Sequence, residues 1–191
     1  MILKGFREFI NESESNVTYQ DLKLLLELGM VDDIQDDMYR GFSQGSITHD
    51  ELLDWVTGIC NKYGIENWTL NSEGLVDVDG SVNLEDMNLI RLPIRFGKVS
   101  GTFDCPNNYL TTLEGAPKEV GVSFYCHNNY LTTLEGAPQE VGGNFYCHNN
   151  YLTTLKGAPK AVGKDFACNG NPLTSLAGIG EVGGQIYSNI K

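Results

Sequence analysis

Two dipeptides, Cys126-His127 and Cys147-His148, place the side chains that most often bind zinc or form a nucleophilic pair next to one another. They recur 21 residues apart, with Tyr125, Asn128 and Tyr130 around the first and Tyr146, Asn149 and Tyr151 around the second. Adjacency argues against both chemistries. Consecutive side chains on an extended strand leave opposite faces, so a thiolate and an imidazole one residue apart cannot readily converge on one ion or one substrate atom. A thiol on the inner face would also be a poor nucleophile, because burial keeps it protonated. No Ser-His-Asp spacing, phosphate-cradling Gly motif or paired-carboxylate pocket is recognisable. The sequence therefore predicts a protein that is not an enzyme and takes no metal and no cofactor.

The two dipeptides belong to a longer pattern with a period of 21 residues. Phe103, Phe124, Phe145 and Phe166 align, as do Cys105, Cys126, Cys147 and Cys168. Asn108, Asn129, Asn150 and Asn171 follow in step, then Leu110 and Leu113 with their copies, Gly115 with its copies, and Val120, Val141 and Val162. Val82, Leu84, Leu89, Leu92 and Val99 lie on the same lattice one period earlier, and Ile186-Tyr187-Ser188 ends it one residue short of register. A fixed period of this kind means stacked coils, each burying its apolar side against its neighbours. Phe and Cys two apart face the core, and the residues between them face out. Asn108, Asn129, Asn150 and Asn171 sit where the strand must turn, and are predicted to point inward as a structural ladder that satisfies freed backbone groups. The Gly-Ala-Pro stretch predicts a return limb of turns or short 3₁₀ pieces.

Alternation also defines the outward columns. Asp104, Tyr125, Tyr146 and Ala167 form one, and Pro106, His127, His148 and Asn169 the next. Asn107, Asn128 and Asn149 come beside them, then Tyr109, Tyr130 and Tyr151 at the turn. Coils stacked about 4.8 Å apart would turn these into ladders of Tyr, His and Asn, residues suited to a binding surface. A histidine column against an acidic partner would couple affinity to pH near ~6.

Written as Phe145-x-Cys147-x-x-Asn150-x-Leu152-x-x-Leu155, the unit resembles the leucine-rich repeat. Its Gly-Ala-Pro and Glu-Val-Gly segments look like those of short-repeat proteins from bacteria and their tailed phages. The resemblance implies an α+β fold: a right-handed leucine-rich-repeat solenoid of parallel β-strands with mostly non-helical return limbs, capped by an N-terminal α-helical domain. It also implies a concave partner-binding face, made here of Tyr125, His127, Asn128, Tyr130, Tyr146, His148, Asn149 and Tyr151.

Other elements must carry these coils. The chain has 191 residues and a formal charge of −12, with 5 basic and 12 acidic side chains before residue 65 and 8 and 13 after it. That balance repels phosphate backbones and anionic headgroups, so neither nucleic acid nor a membrane is an expected partner. Residues 1–64 read as an acidic helical domain. One helix opens at Thr18 and stops at Gly29; another opens at the Thr48/Glu51 capping box and runs to Gly64; weaker ones cover Leu3–Ile10 and Asp32–Arg40. Residues 65–191 read as the solenoid: hairpins and a degenerate repeat over 65–102, regular repeats over 103–185 and an edge strand over 186–188. Trp68–Leu70 and Leu75–Val78 form a first predicted hairpin, and Asp79-Gly80 signals a second. Charges inside the apolar N-terminus exclude a signal-peptide core, so the five cysteines are expected as buried thiols in a cytoplasm.

The segment Phe6–Glu12 is similar to the capsid-targeting peptides of internal head proteins in T-even-type phages, where Ile10-Asn11-Glu12 would be the protease site and Glu12 the processed residue. The functional expectation is a non-enzymatic binding protein, phage-encoded and directed at a host protein in the host cytoplasm. The alternative is a structural or internal protein of the virion head, packaged through residues 1–12.

Overall fold

The computed structural model describes residues 31–190, with side chains from Gln35 onward. The helices expected near residues 3–10 and 18–29 and the Glu12 site lie outside the described residues. The chain divides into two compact units between Gly58 and Ile59, inside the second described helix.

In the first unit, helix α1 spans Val31–Gln44, four residues further than the apolar pattern indicates. Gly41 passes without ending it because its missing Cβ leaves room for the Ile47 side chain. The stop is Gly45, whose φ of 74° lets the Ser46 N–H reach the Gly41 carbonyl at 2.9 Å. Helix α2 spans His49–Tyr63 and opens on the expected capping box. The Thr48 N–H donates to Glu51 Oε2 at 2.8 Å, and the Glu51 N–H donates to Thr48 Oγ1 at 3.3 Å. Gly64, with φ of 63°, closes it as the Ile65 N–H donates to the Cys60 carbonyl at 2.9 Å. Between the helices, Tyr39 meets Trp55 edge-on at 5.8 Å, with Met38, Leu52 and Val56 buried around them.

The second unit is a β-solenoid. Strand β1 (Trp68–Leu70) pairs antiparallel with β2 (Val76–Val78), as predicted, around a turn whose Asn71 Oδ1 accepts the Glu73 and Leu75 N–H groups at 3.0 Å. Every later pairing is parallel. Strands β3 (Val82–Asn83), β5 (Phe103–Asp104), β7 (Phe124–Tyr125), β9 (Phe145–Tyr146), β11 (Phe166–Ala167) and β13 (Ile186–Tyr187) stack in order as one six-stranded sheet. Strands β4 (Phe96–Val99), β6 (Glu119–Val120), β8 (Glu140–Val141), β10 (Ala161–Val162) and β12 (Glu181–Val182) continue from β1 and β2 as a second, seven-stranded sheet.

One local expectation is corrected and another is sharpened. The Asp79-Gly80 pair makes a corner, not a hairpin: β2 pairs with β4 in one sheet and β3 with β5 in the other. The return limb is made of turns, one of the two forms expected, with no 3₁₀ piece among the described residues; it ends in a short strand, four residues in β4 and two in each later coil. The Glu-Val-Gly segment, Ala-Val-Gly at residues 161–163, supplies that strand, since Val120, Val141 and Val162 face the core and the glycines after them allow adjacent backbones to touch.

Register follows the sequence period. Phe103 pairs with Phe124 and Phe124 with Phe145, each 21 residues on, while the last coil shortens so that Phe166 pairs with Ile186. The core between the sheets is a column of nearly parallel Phe rings, 5.4 Å apart from Phe103 to Phe124 and from Phe124 to Phe145, and 5.2 Å from Phe145 to Phe166. Cys105, Cys126, Cys147, Leu110, Leu131 and Leu152 fill in beside them with no exposed surface.

Candidate functional site: the outward face of the Phe-strand sheet

Each coil turns at the end of its Phe-x-Cys strand, and the inward Asn pins that turn. Asn129 Oδ1 accepts the Leu110 N–H at 3.0 Å, and its Nδ2 donates to the carbonyls of Cys105 at 3.0 Å, Cys126 at 3.2 Å and His127 at 3.3 Å. Asn108 and Asn150 repeat this pattern and are buried like Asn129. Asn171 repeats it in a half-buried position, taking the Leu152 N–H at 3.0 Å. One amide thus ties two coils together and holds the residues beside it in a fixed place.

Those residues form the outward columns. Tyr125 and Tyr146 are ladder partners with rings stacked 5.0 Å apart, and His127 stacks on His148 at 4.4 Å with only 13° between their planes. Tyr125 lies edge-on to His127 at 6.3 Å, and Tyr146 is tilted against His148 at 6.0 Å. The four rings make a continuous half-exposed patch. Past the turn, Tyr109, Tyr130 and Tyr151 are 51, 46 and 57% exposed; Tyr109 is tilted against Tyr130 at 5.9 Å, and Tyr130 stacks on Tyr151 at 5.6 Å. Two neighbours expected to be exposed are not: Pro106 is buried, and Ala167, a short side chain between its ladder partners Tyr146 and Tyr187, is covered.

Electrostatics at the patch differ from the sequence expectation. Burial pushes the His127 imidazole down to about 4, with the stacked His148 ring as a second cause, and burial also lowers His148. The Nδ1 atom of each ring is buried without a hydrogen-bond partner. His127 therefore stays neutral at pH 6, and His148 is harder to protonate than an ordinary imidazole, so the His127 ring gains no charge near that pH in the free protein. The thiols lie on the other side of the strand: Cys126 and Cys147 are fully buried, and burial raises both well above the ordinary thiol range. Cys-His adjacency thus separates the two groups. Among the described residues no group of three or more His, Cys, Asp or Glu side chains could hold a metal ion.

The outer Asn column plays a part that alternation alone does not reveal. Asn107, Asn128 and Asn149 are exposed and adopt φ of 56°, 56° and 53°. Their amides form a second ladder: Asn128 Nδ2 donates to Asn107 Oδ1 at 2.7 Å, and Asn149 Nδ2 to Asn128 Oδ1 at 2.9 Å. The signal was present in the column's composition. Asp86, Asn107, Asn128, Asn149 and Gly170 all have positive φ, and Asp, Asn and Gly are the residues that tolerate it. Between this ladder and Tyr109, Tyr130 and Tyr151 runs a groove of about 520 Å³.

Compared with protein-family models, curated proteins and solved structures, the chain matches none.

Proposed function

We propose that the protein is a non-enzymatic binding module of the leucine-rich-repeat type, phage-encoded, whose partner is a host protein seated on the Tyr/His face. The observation that carries this reading is the ring patch of Tyr125, Tyr146, His127 and His148. These are large, half-exposed and partly apolar side chains, stacked on strands whose turns are pinned by buried amides. Ordered aromatics at the middle of a rigid surface are what protein interfaces use as anchors, because little side-chain entropy remains to be lost on binding. The orphaned Nδ1 atoms add specificity. They are buried and have no polar partner within the protein, which leaves Nε2 of each ring as the nitrogen a partner would meet.

The test is a footprint. A protein captured on the immobilised chain from bacterial lysate is purified and bound, and amide hydrogen exchange is compared with and without it. Protection concentrated over residues 124–130 and 145–151 is expected. Protection confined to residues 31–58 would overturn the reading.

A further inference from the structure

The groove beside the ring patch has a chemistry of its own, one that goes beyond the protein-binding reading. Its walls are the Asn107, Asn128 and Asn149 amides on one side and the Tyr109, Tyr130 and Tyr151 rings on the other. In a chain of net charge −12, no charged side chain among the described residues lines it. The geometry points to a binding site for a neutral linear glycan, laid along the solenoid with one sugar per coil.

Three features select that ligand. The first is hydrogen-bonding capacity. A primary amide has two N–H donors and two acceptor lone pairs, and the outer ladder uses one of each on Asn128. One donor and one acceptor per coil remain at the surface, a pair that matches two neighbouring sugar hydroxyls. The inner amides cannot contribute, because Asn108, Asn129 and Asn150 are committed to backbone. The second is the tyrosine column. Tyr130 and Tyr151 stack face to face and Tyr109 leans on Tyr130, so what the column offers a ligand is chiefly ring edges and phenol hydroxyls. Such a wall recognises polyhydroxylated chains by hydrogen bonding.

The third is spacing. The groups repeat once per coil, ~4.8 Å along the stack. An extended peptide advances only ~3.3 Å per residue and falls out of register after one coil. A β-1,4-linked pyranose chain advances by close to the coil step and presents hydroxyls at each one. Nucleic acid, with a matching polymeric character but a charged backbone, is repelled by the protein's net charge. Backbone rigidity supports the fit, since the left-handed φ of Asn107, Asn128 and Asn149 and their mutual hydrogen bonds hold the donors in place before a ligand arrives.

The column itself supplies the clean variant. Gly170 occupies the next position with φ of 69°, so Asn128→Gly with Asn149→Gly removes the amides and keeps the backbone. Calorimetric titration is run with N-acetylated chitohexaose, cellohexaose, an anionic oligogalacturonate and a Gly/Ser hexapeptide. At least one neutral hexasaccharide should bind saturably, more tightly than its disaccharide, while the anionic chain and the peptide do not. The Asn double variant should weaken that binding tenfold or more with only a small drop in melting temperature, and Tyr125→Ala with Tyr146→Ala should leave it intact. The Tyr pair thereby separates this site from the protein-binding patch. Absence of saturable binding by both neutral hexamers at millimolar concentration, binding of the peptide instead, or binding indifferent to the Asn variant would overturn the proposal.

Discussion

An asparagine that serves backbone groups in two coils differs physically from its exposed neighbour one residue earlier. Removing the Asn129 side chain strips the Leu110 N–H and the Cys105 carbonyl of a buried partner, at about 1–3 kcal/mol for each group. Asn128→Ala instead places an ordinary residue at φ of 56°, which costs about 1–2 kcal/mol, and Asn128→Gly removes that strain. Urea titrations should rank the losses Asn129→Ala largest, Asn128→Ala next and Asn128→Gly smallest. Equal losses at positions 128 and 129 would contradict the assignment of inner and outer amides. The inner ladder was legible from the repeat. The role of the outer one was not, because alternation says which way a side chain points and nothing about the φ beneath it.

Histidine behaviour is also set at this scale. A ring held below its unfolded value near 6.5 binds protons more readily once the chain unfolds. The contribution of His127 is therefore present above pH 6.5 and lost as pH falls from 6.5 through about 4. NMR titration should give a His127 midpoint near 4 and a lowered one for His148, with stability declining over that window. An unshifted midpoint near 6.5 for both would mean the rings are not desolvated.

At the scale of elements, the 21-residue period gave the ladder register, including the short final coil, because core residues of neighbouring coils must align to stack. It did not disclose the second sheet, whose strands from β6 onward are two residues long and too short to carry an alternation signal. The Asp-Gly corner departs from its hairpin signal for a physical reason. Its bonds go to the next coil: the Gly80 N–H donates to Ser100 Oγ at 2.8 Å, and that hydroxyl donates to Asp79 at 2.9 Å. Long-range pairing overrode a local turn preference.

The close stacking yields a contrast between two glycines. A Cβ at Gly142 would run into the Gly121 carbonyl of the preceding coil, whereas one at Gly58, inside α2, meets nothing within 4 Å. Gly142→Ala should destabilise by about 1–3 kcal/mol, as forced overpacking does. Gly58→Ala should stabilise by about 0.5–1 kcal/mol through helix propensity. Thermal melts would read both. A tolerated Gly142→Ala would mean the second sheet is looser than described.

For the whole molecule, the inner columns of each coil build the stack and the outer columns repeat whatever the first copy presented. Near-identical coils are therefore both the easiest way to extend a core and a way to multiply one surface, so the proposed binding face would come with the fold. The acidic helical part offers the rival surface, since Asp32, Asp33, Asp36 and Asp37 concentrate charge there. Most direct is the affinity for the captured partner of three proteins: the unaltered chain, Tyr125→Ala with Tyr146→Ala, and the four aspartates changed to Lys. If the ring patch is the interface, the Tyr pair should weaken binding by ~2 kcal/mol or more, about thirtyfold, with little change in melting temperature, and the Lys set should bind as the unaltered chain does. Loss of binding in the Lys set with the Tyr pair unaffected would contradict the account and make the solenoid a scaffold for the helices.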